Sequence, residues 1–323
     1  MQTCFLHIGS EKTGTTSIQR YCAQNRDSLL ADGFWYPNAG AWEGANVHKR
    51  LSDAALVGDI PEESDLSIEF RDEYKAAAAS GATRAIISSE FFHSRFRNEA
   101  AISRLKVFLA RWFRTVRVVY YARRQDRLAA SMHSTGIRGG HSTERSALSV
   151  FEKKRQYYFD HLAVCDLWAH VFGSENLICR IYERAKLENG DVIDDFESVV
   201  GLKHNSGRVR EHANESLSLI CMSVLLRLNA SRHRKNDSLR RKLVATDRER
   251  PSIKIPLLTR TQAREFLSQF EDNNRKFFSR YVDSTLATEF EPGFADFPDD
   301  VPEPSHKEML DFIFAPAARD LRD

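Results

Sequence analysis

A glycine-rich turn near the start of the chain has the composition of an anion-binding loop. It reads HIGSEKTGTTSIQ over residues 7–19. Gly9 and Gly14 have the spacing of the nucleotide-binding pattern GxxxxGK[ST], but Thr15 stands where that pattern has its lysine, and Lys12 lies inside the turn. Backbone amides at such a strand-to-helix turn point at an anion, and the helix dipole adds positive potential. The turn therefore predicts a bound phosphate or sulfate, with the ammonium near its terminal group.

HIG followed by KTGTTS resembles the 5′-phosphosulfate loop of sulfotransferases that use 3′-phosphoadenosine 5′-phosphosulfate (PAPS). The resemblance implies that PAPS is the sulfuryl donor. It also implies a set of residues that hold the 5′-phosphosulfate: Lys12, Thr13, Gly14, Thr15, Thr16 and Ser17. A degenerate loop of an ATP-dependent kinase is the alternative for this stretch taken alone.

A second basic position ends an apolar run further along the chain. In VRVVYYARRQDRLAASMHS, residues 116–134, Ser131 follows Arg123 by eight positions. Sulfotransferases bind the 3′-phosphate of the cofactor with an arginine and a serine at this separation. A guanidinium suits a phosphate because it offers paired donors in one plane. The family often has Asn-Pro or Asp-Pro after the arginine. Here Arg124 follows, so it is the alternative ligand, and a surface ion pair with Asp126 is the alternative without a ligand.

The predicted catalytic base is Glu90, within ISSEFFHS at residues 87–94. Carbohydrate sulfotransferases of the same superfamily place a catalytic glutamate just after the second strand, and Glu90 matches that position. A positioned base contributes about 10²–10⁴-fold to such a transfer. The alternatives are a cap on the following helix, or an ion pair with Lys12 or Arg95.

Several other side chains bear on the chemistry. His48 and His93 are alternative bases, whereas His7 precedes the loop and is expected to pack or to orient Lys12 or the acceptor. Lys12 is a predicted catalytic residue as well, because its charge offsets the charge that develops on the bridging oxygen. We find no Walker-B-like strand ending in Asp and no cluster with metal-ligand spacing, so we predict no metal.

The elements that must position these residues follow from hydrophobic periodicity. Apolar runs rich in Val, Ile, Phe and Tyr predict strands at 3–8, 85–89, 116–122 and 177–182. Helices are predicted at 15–31, 67–80, 99–113, 151–172 and 191–200. This alternation indicates a parallel sheet covered on both faces, and ligands meet such a sheet at the carboxyl ends of its strands. We predict a P-loop-type three-layer α/β/α fold with a central parallel sheet and a helical C-terminal part.

The last third of the chain is predicted to be helical and then irregular. Two helices, at 214–229 and 260–282, flank the basic stretch 231–242, which is either a solvated face or a clamp for an anionic glycan or the cofactor. We predict one α/β domain at residues 1–285. An acidic, proline-rich tail at 286–323 follows, with a short helix near its end, at 306–320.

The resemblance to bacterial sulfotransferases extends over residues 3–283 and is weaker after 219. It includes the segments 157–201 and HANESLS at 212–218. The Arg-Lys-Gly triplet that closes on the 3′-phosphate in many cytosolic sulfotransferases is missing. Arg208 or Arg210 is the predicted substitute.

Bulk composition is that of an ordinary globular protein. The 323 residues are 42% hydrophobic and 28% charged, and the net charge of +2 gives no general attraction to nucleic acid. The first residues lack the features of a signal peptide, and no apolar window approaches the length of a membrane span. Five scattered cysteines without a CxxC pair predict free thiols in a reducing cytosol.

Together these patterns predict a cytoplasmic, bacterial-type, PAPS-dependent sulfotransferase (EC 2.8.2.-). It moves a sulfuryl group to a hydroxyl by in-line displacement, with Glu90 as base and a carbohydrate or glycolipid as the predicted acceptor. The two rivals are an ATP-dependent kinase, which would require magnesium, and a non-catalytic nucleotide-binding protein of the same fold. The sequence fixes neither the identity of the acceptor nor the oligomeric state.

Overall fold

The computed structural model describes residues 1–44, 46–150, 156–211, 216–231, 236–250 and 253–314. The strands are β1 (Thr3–Gly9), β2 (Phe34–Trp35), β3 (Arg84–Ser88), β4 (Thr115–Ala122) and β5 (Leu177–Ile181). The helices before β4 are α1 (Thr15–Gln24), α2 (Arg26–Ala31), α3 (Lys49–Val57), α4 (Asp65–Ala79), α5 (Phe91–Arg95) and α6 (Glu99–Ala110). Those after β4 are α7 (Gln125–Arg138), α8 (Gln156–Phe159), α9 (His161–Phe172), α10 (Val192–Val200), α11 (Leu219–Ala230), α12 (Asp237–Arg248), α13 (Arg260–Ser268), α14 (Glu271–Tyr281) and α15 (His306–Phe314).

The five strands of the described chain form one parallel sheet in the order β2-β3-β1-β4-β5. This confirms the predicted central parallel sheet. Strand β1 lies in the middle, where His7 aligns with Ser88 of β3 and with Val119 of β4. Since parallel strands end at the same edge, the segments that follow β1, β3 and β4 emerge side by side. Strand β2 was not predicted, because two residues are too few to show a periodic pattern.

Both faces of the sheet are buried, as the predicted three-layer arrangement requires. Leu6, Ile87 and Tyr120 enter one core, whereas their neighbours Ile86 and Tyr121 enter another. The first core is closed by helices α4, α6 and α9, and the second by α1 and α10. Successive strand residues therefore serve opposite helical layers.

The chain forms two compact units, each built from separated segments. The first unit comprises Met1–Arg123, Tyr157–Ala213 and Asp272–Glu291 and contains the whole sheet. The second comprises Arg124–Gln156, Asn214–Glu271 and Pro292–Asp323. It is helical and has its own apolar core, which includes Ile137, Leu225, Leu243, Met309 and Phe312. The predicted division at residue 285 stays a prediction.

Several predicted helices are shorter or divided. The stretch 15–31 is interrupted at Asn25, whose side chain donates to the Tyr21 carbonyl at 2.8 Å. The stretch 260–282 divides into α13 and α14. Part of the polar stretch forms α12, which Asn236 caps by accepting from the Leu239 amide. Parts of other predictions lie outside the described residues, at 151–155, 212–215, 232–235 and 315–320. Within the described chain, every helix is too short or too polar to cross a bilayer.

Candidate functional site

The glycine-rich turn between β1 and α1 is shaped by three residues with positive φ. These are Gly9 at 110°, Lys12 at 65° and Gly14 at 77°. Positive φ is uncommon outside glycine, so the lysine backbone adopts a conformation that few residues take. A Cβ on Gly14 would approach Val192 Cγ1 of α10 to 2.8 Å. The second glycine of the motif is therefore required by close packing as well as by its backbone angle.

Hydrogen bonds fix the turn to the neighbouring strand β4. The Ser10 amide and hydroxyl both donate to the Tyr121 carbonyl at 3.0 Å. The Thr13 hydroxyl donates to the Ser10 carbonyl at 2.6 Å, so it supports the turn from within. Thr15 and Ser17 are buried in the first turn of α1, and Thr16 is half-buried. The first turn of α1 contains no acidic residue, which leaves the positive end of its dipole without a built-in counter-charge.

The structure brings Arg123 to this loop. Its Nη1 donates to the Lys12 carbonyl at 2.8 Å, and its guanidinium lies 5.5 Å from the centre of the Tyr182 ring. Arg123 is half-buried. The strand-end arginine and the lysine of the turn thus belong to one cluster in the first unit. Ser131 is half-buried on α7, in the second unit, and its pairing with Arg123 stays a prediction.

The neighbouring Arg124 has a different environment. It is fully buried and forms a bidentate ion pair with Asp126, with Nε to Oδ1 at 2.8 Å and Nη2 to Oδ2 at 2.7 Å. Its guanidinium also lies 4.5 Å from the centre of the Phe294 ring. The ion pair with Asp126 was anticipated as a surface feature, but it lies in the core of the second unit. Of the two arginines, Arg123 is the one left accessible at the strand end.

Glu90 lies directly beside the loop. A Cβ built on Gly9 would be 3.5 Å from the Glu90 Cα. The carboxylate accepts a hydrogen bond from Gln19 Nε2 at 2.6 Å. Helix α5 begins without a side-chain cap in the described structure, and Arg95 pairs with Asp53. Glu90 therefore neither caps α5 through its side chain nor pairs with Arg95, which were two of the predicted alternatives.

Gln19 is a residue that sequence reasoning missed. It is 5% exposed on α1 and links Glu90 to Ser88, whose Oγ lies 3.3 Å from Gln19 Nε2 and 2.8 Å from His7 Nδ1. A signal existed in the sequence, because Gln19 follows Thr15 of the loop by four positions and so shares its helix face. The buried Gln19 amide therefore anchors the Glu90 carboxylate.

The three histidines near the site are all fully buried. Burial lowers the pKa of His7 and of His93 to about 3, and that of His48 to about 4. His48 Nδ1 accepts from the Ser88 amide at 3.1 Å, and Nε2 lies 3.0 Å from the Pro37 carbonyl. Both of its ring nitrogens are thus engaged with backbone groups. These rings are neutral at neutral pH and enclosed, which separates them from an acceptor that arrives from solvent.

Arg208 and Arg210, the predicted substitutes for the missing Arg-Lys-Gly triplet, form hydrogen bonds and ion pairs with other residues of the first unit. Arg208 is buried and bonds Glu197 Oε1 at 2.9 Å and the Tyr21 hydroxyl at 3.1 Å. Arg210 bonds Glu197 Oε2 at 2.6 Å and also pairs with Asp194. These carboxylates, with His204, are the group in the described chain that has metal-ligand chemistry, and the arginines already neutralise them.

The described part of the basic stretch 231–242 also has a structural role. Arg240 is buried on α12, where its Nη2 donates to Asn229 Oδ1 at 2.9 Å and its Nη1 pairs with Asp237 at 3.1 Å. Arg241 and Lys242 are exposed, and residues 232–235 lie outside the described ranges. The stretch is therefore neither wholly solvated nor wholly buried.

Comparisons with known proteins give limited similarity. The chain matches no protein-family model. It is similar to an uncharacterized protein of Archaeoglobus fulgidus, 30% identical over 202 residues, which are 61% of this chain and 53% of that protein. The chain thus spans about half the length of that relative. Among solved structures, a sulfotransferase from Alicyclobacillus acidocaldarius is similar with a TM-score of 0.41 and 15% identity, over 74% of this chain and 96% of that one. A likeness at this level says nothing about the residues of the site.

Proposed function

We propose that the protein is a sulfotransferase that moves the sulfuryl group of PAPS to a hydroxyl of a carbohydrate or glycolipid. The observation that carries the proposal is the hydrogen bond from Arg123 to the Lys12 carbonyl, at 2.8 Å. It joins the two basic positions that the sequence assigns to opposite ends of one doubly phosphorylated nucleotide. Glu90 stands at the same edge of the sheet, beside Gly9.

In the proposed reaction, each of the predicted site residues has its own role. Lys12 and the amides at the start of α1 hold the 5′-phosphosulfate, while Arg123 holds the 3′-phosphate. The acceptor oxygen attacks sulfur as the bond between sulfur and the bridging oxygen breaks. The hydroxyl proton passes to Glu90, and adenosine 3′,5′-bisphosphate leaves. Lys12 stabilises the negative charge that grows on the bridging oxygen.

Gln19 acts on this reaction through Glu90. Its amide nitrogen donates to one carboxylate oxygen, so the second oxygen remains for the proton of the acceptor. The amide also fixes the direction of the carboxylate, and Ser88 in turn contacts the amide. Proton transfer depends strongly on such placement, because a base must lie within hydrogen-bond reach of the group it deprotonates.

Calorimetric binding separates this proposal from the kinase alternative. We expect adenosine 3′,5′-bisphosphate to bind without magnesium, and ATP with magnesium to bind weakly. Tight binding of magnesium ATP with no binding of the bisphosphate would favour the kinase. Transfer of labelled sulfate from PAPS to a panel of glycans and glycolipids then separates an enzyme from a non-catalytic nucleotide-binding protein.

Two substitutions test the roles of Lys12 and Glu90. We expect Lys12→Ala to reduce transfer about 10²–10³-fold, the scale of one transition-state charge donor, with a much smaller effect on bisphosphate affinity. Glu90→Gln is expected to reduce turnover about 10²–10⁴-fold, as for removal of a general base. The controls are Lys75→Ala and Glu63→Gln, both exposed in the first unit. Equal losses of binding and transfer in Lys12→Ala would remove its transition-state role, and unchanged turnover in Glu90→Gln would remove the base.

A further inference from the structure

An exposed indole stands on a well-held loop between β2 and α3. Trp42 is 52% exposed, although its amide donates to the Val47 carbonyl at 3.1 Å. The same loop is fixed to α4, because the Asn38 and Ala39 amides donate to the Glu73 carboxylate at 2.8 and 2.9 Å. An accessible aromatic side chain on a well-held loop offers a flat apolar face to a ligand.

This loop lies next to the candidate base. The His48 amide, at the end of the loop, donates to the Ser88 carbonyl at 3.0 Å, two residues before Glu90. The ammonium of Lys49 lies 4.5 Å from the centre of the Trp42 ring and 5.7 Å from that of Phe91. The two rings and the ammonium between them form one surface, and Phe91 ties it to the chain segment of the candidate base because it directly follows Glu90.

Charged groups border the two rings. Asp53 pairs with Lys49 and, through Oδ1 at 3.0 Å, with Arg95 Nη1. The Arg95 guanidinium lies 4.2 Å from the centre of the Phe91 ring. The side chains of Lys49, Asp53 and Arg95 are 24%, 34% and 42% exposed, so each has donors or acceptors at the surface. Counted together with the neighbouring Glu90 carboxylate, two cations meet two anions, so the border offers both donors and acceptors without a net charge.

We propose that Trp42, Lys49, Asp53, Phe91 and Arg95 form an acceptor subsite for a saccharide. A sugar ring offers an apolar C–H face that packs on an aromatic ring, and a hydroxyl edge that exchanges hydrogen bonds with charged side chains. The exposed indole supplies the first surface, and the charged border supplies the second. This subsite rests on the proposed function in one respect, since it would present a saccharide hydroxyl to Glu90.

A binding measurement tests the subsite without any transfer reaction. Trp35 and Trp168 are buried and Trp112 is half-buried, so iodide quenching of fluorescence reports mainly on Trp42. The probes are a hyaluronan tetrasaccharide, which contains hexuronic acid, and neutral maltotetraose. We expect each tetrasaccharide to protect Trp42 from iodide, because the apolar face of a sugar ring packs on the indole. Absence of protection by both probes would overturn the subsite.

Affinity for the hyaluronan tetrasaccharide, measured by calorimetry, provides the matched comparison. Trp42→Ala is expected to weaken binding about tenfold or more, whereas Trp42→Phe, which keeps an aromatic face, weakens it less. Val57→Ala, which removes a side chain that is 92% exposed at the end of α3, is expected to leave affinity unchanged. Equal affinity of the wild type and Trp42→Ala would contradict the subsite.

The outcomes distinguish this inference from the proposed function. If the tetrasaccharide protects Trp42 but adenosine 3′,5′-bisphosphate does not bind, the subsite stands and the sulfotransferase proposal fails. If labelled sulfate reaches a saccharide with the same KM in the wild type and Trp42→Ala, the sulfotransferase proposal stands and the subsite fails.

Discussion

Acid should unfold the first unit through its buried histidines. His7, His48, His93 and His161 are all buried there, and burial lowers their pKa values to about 3, 4, 3 and 4, from 6.5. Between pH 6.5 and these lowered values, the unfolded chain binds more protons than the folded one. Stability is therefore complete above pH 6.5 and is lost as the pH falls below it.

The size of the effect follows from the pKa differences. At pH 5 each histidine lies about 1.5 units below its unfolded pKa and is still neutral when folded, which lowers the free energy of unfolding by about 2 kcal/mol. Four rings together remove about 8 kcal/mol by the same arithmetic. The whole stability of a domain is about 5–15 kcal/mol, so a loss of this size brings the first unit close to unfolding at pH 5.

Urea unfolding at a series of pH values between 7.5 and 5 measures the loss. Tryptophan fluorescence is a suitable probe, because all four tryptophans lie in the first unit. Replacing His48 by Gln removes one titrating ring, so we expect the slope of stability against pH to fall by about 1.4 kcal/mol per pH unit between pH 6 and 5. His170→Gln on α9, where the side chain is 67% exposed, is the control.

The comparison of slopes, not of absolute stabilities, decides the outcome. His48→Gln also loses a hydrogen bond to the backbone of Ser88 and starts from a lower stability at pH 7.5. An identical slope in the wild type and His48→Gln would refute the reasoning, because it would mean that His48 takes up protons in the folded state. A histidine of that kind would return as a rival to Glu90 for the role of base.

Two further substitutions test the geometry of the loop and of the base. Gln19→Leu removes a hydrogen bond to a charged group, worth about 1.5–3 kcal/mol, so turnover should fall about 10–100-fold while calorimetry finds unchanged affinity for adenosine 3′,5′-bisphosphate; unchanged turnover would show that Glu90 needs no such support. Gly14→Ala should lower the thermal midpoint, because φ of 77° costs about 1–3 kcal/mol for alanine and the new Cβ meets Val192. Gly44→Ala has a similar φ of 68° with no atom of the described chain within 4 Å of the new Cβ, so scanning calorimetry should find a smaller loss there; equal losses would exclude the contact with Val192.

The strands of the sheet were predictable from the sequence because burial on both faces leaves a direct trace. Strands β1, β3, β4 and β5 are apolar runs with almost the predicted bounds. The loop was predictable for a related reason, since Gly9 and Gly14 adopt positive φ angles that few other residues take. Helix α3 was missed, whereas α5 entered only as the helix that Glu90 could cap. Lys49, Arg50 and Asp53 give α3 the composition of a polar connection. Lys49 pairs with Asp53 within the helix, and Arg50–Glu69 and Asp53–Arg95 are tertiary ion pairs.

Parts of the candidate site were less predictable because tertiary packing decides them. Arg123 and Arg124 are adjacent and identical in chemistry. Arg123 is half-buried beside the loop, whereas Arg124 is buried and packs against Asp126 and Phe294. Phe294 is 170 positions after Arg124 in the chain, so no local sequence pattern predicts that its ring contacts this arginine. Gln19 is a similar case. Its helix face was readable, but its contact with Glu90 depends on the pairing of β1 with β3.

The position of the lysine within the turn has a structural consequence. In the usual nucleotide loop the lysine follows the second glycine and starts the helix. Here Lys12 stands two residues before Gly14, has a positive φ, and accepts a hydrogen bond from Arg123 at its carbonyl. The backbone of the lysine is thereby tied to the end of β4. Because this hydrogen bond uses the Lys12 carbonyl, a change of the Lys12 side chain leaves its acceptor in place, whereas a change of Arg123 removes its donor. The two basic positions are therefore joined through the backbone of the turn.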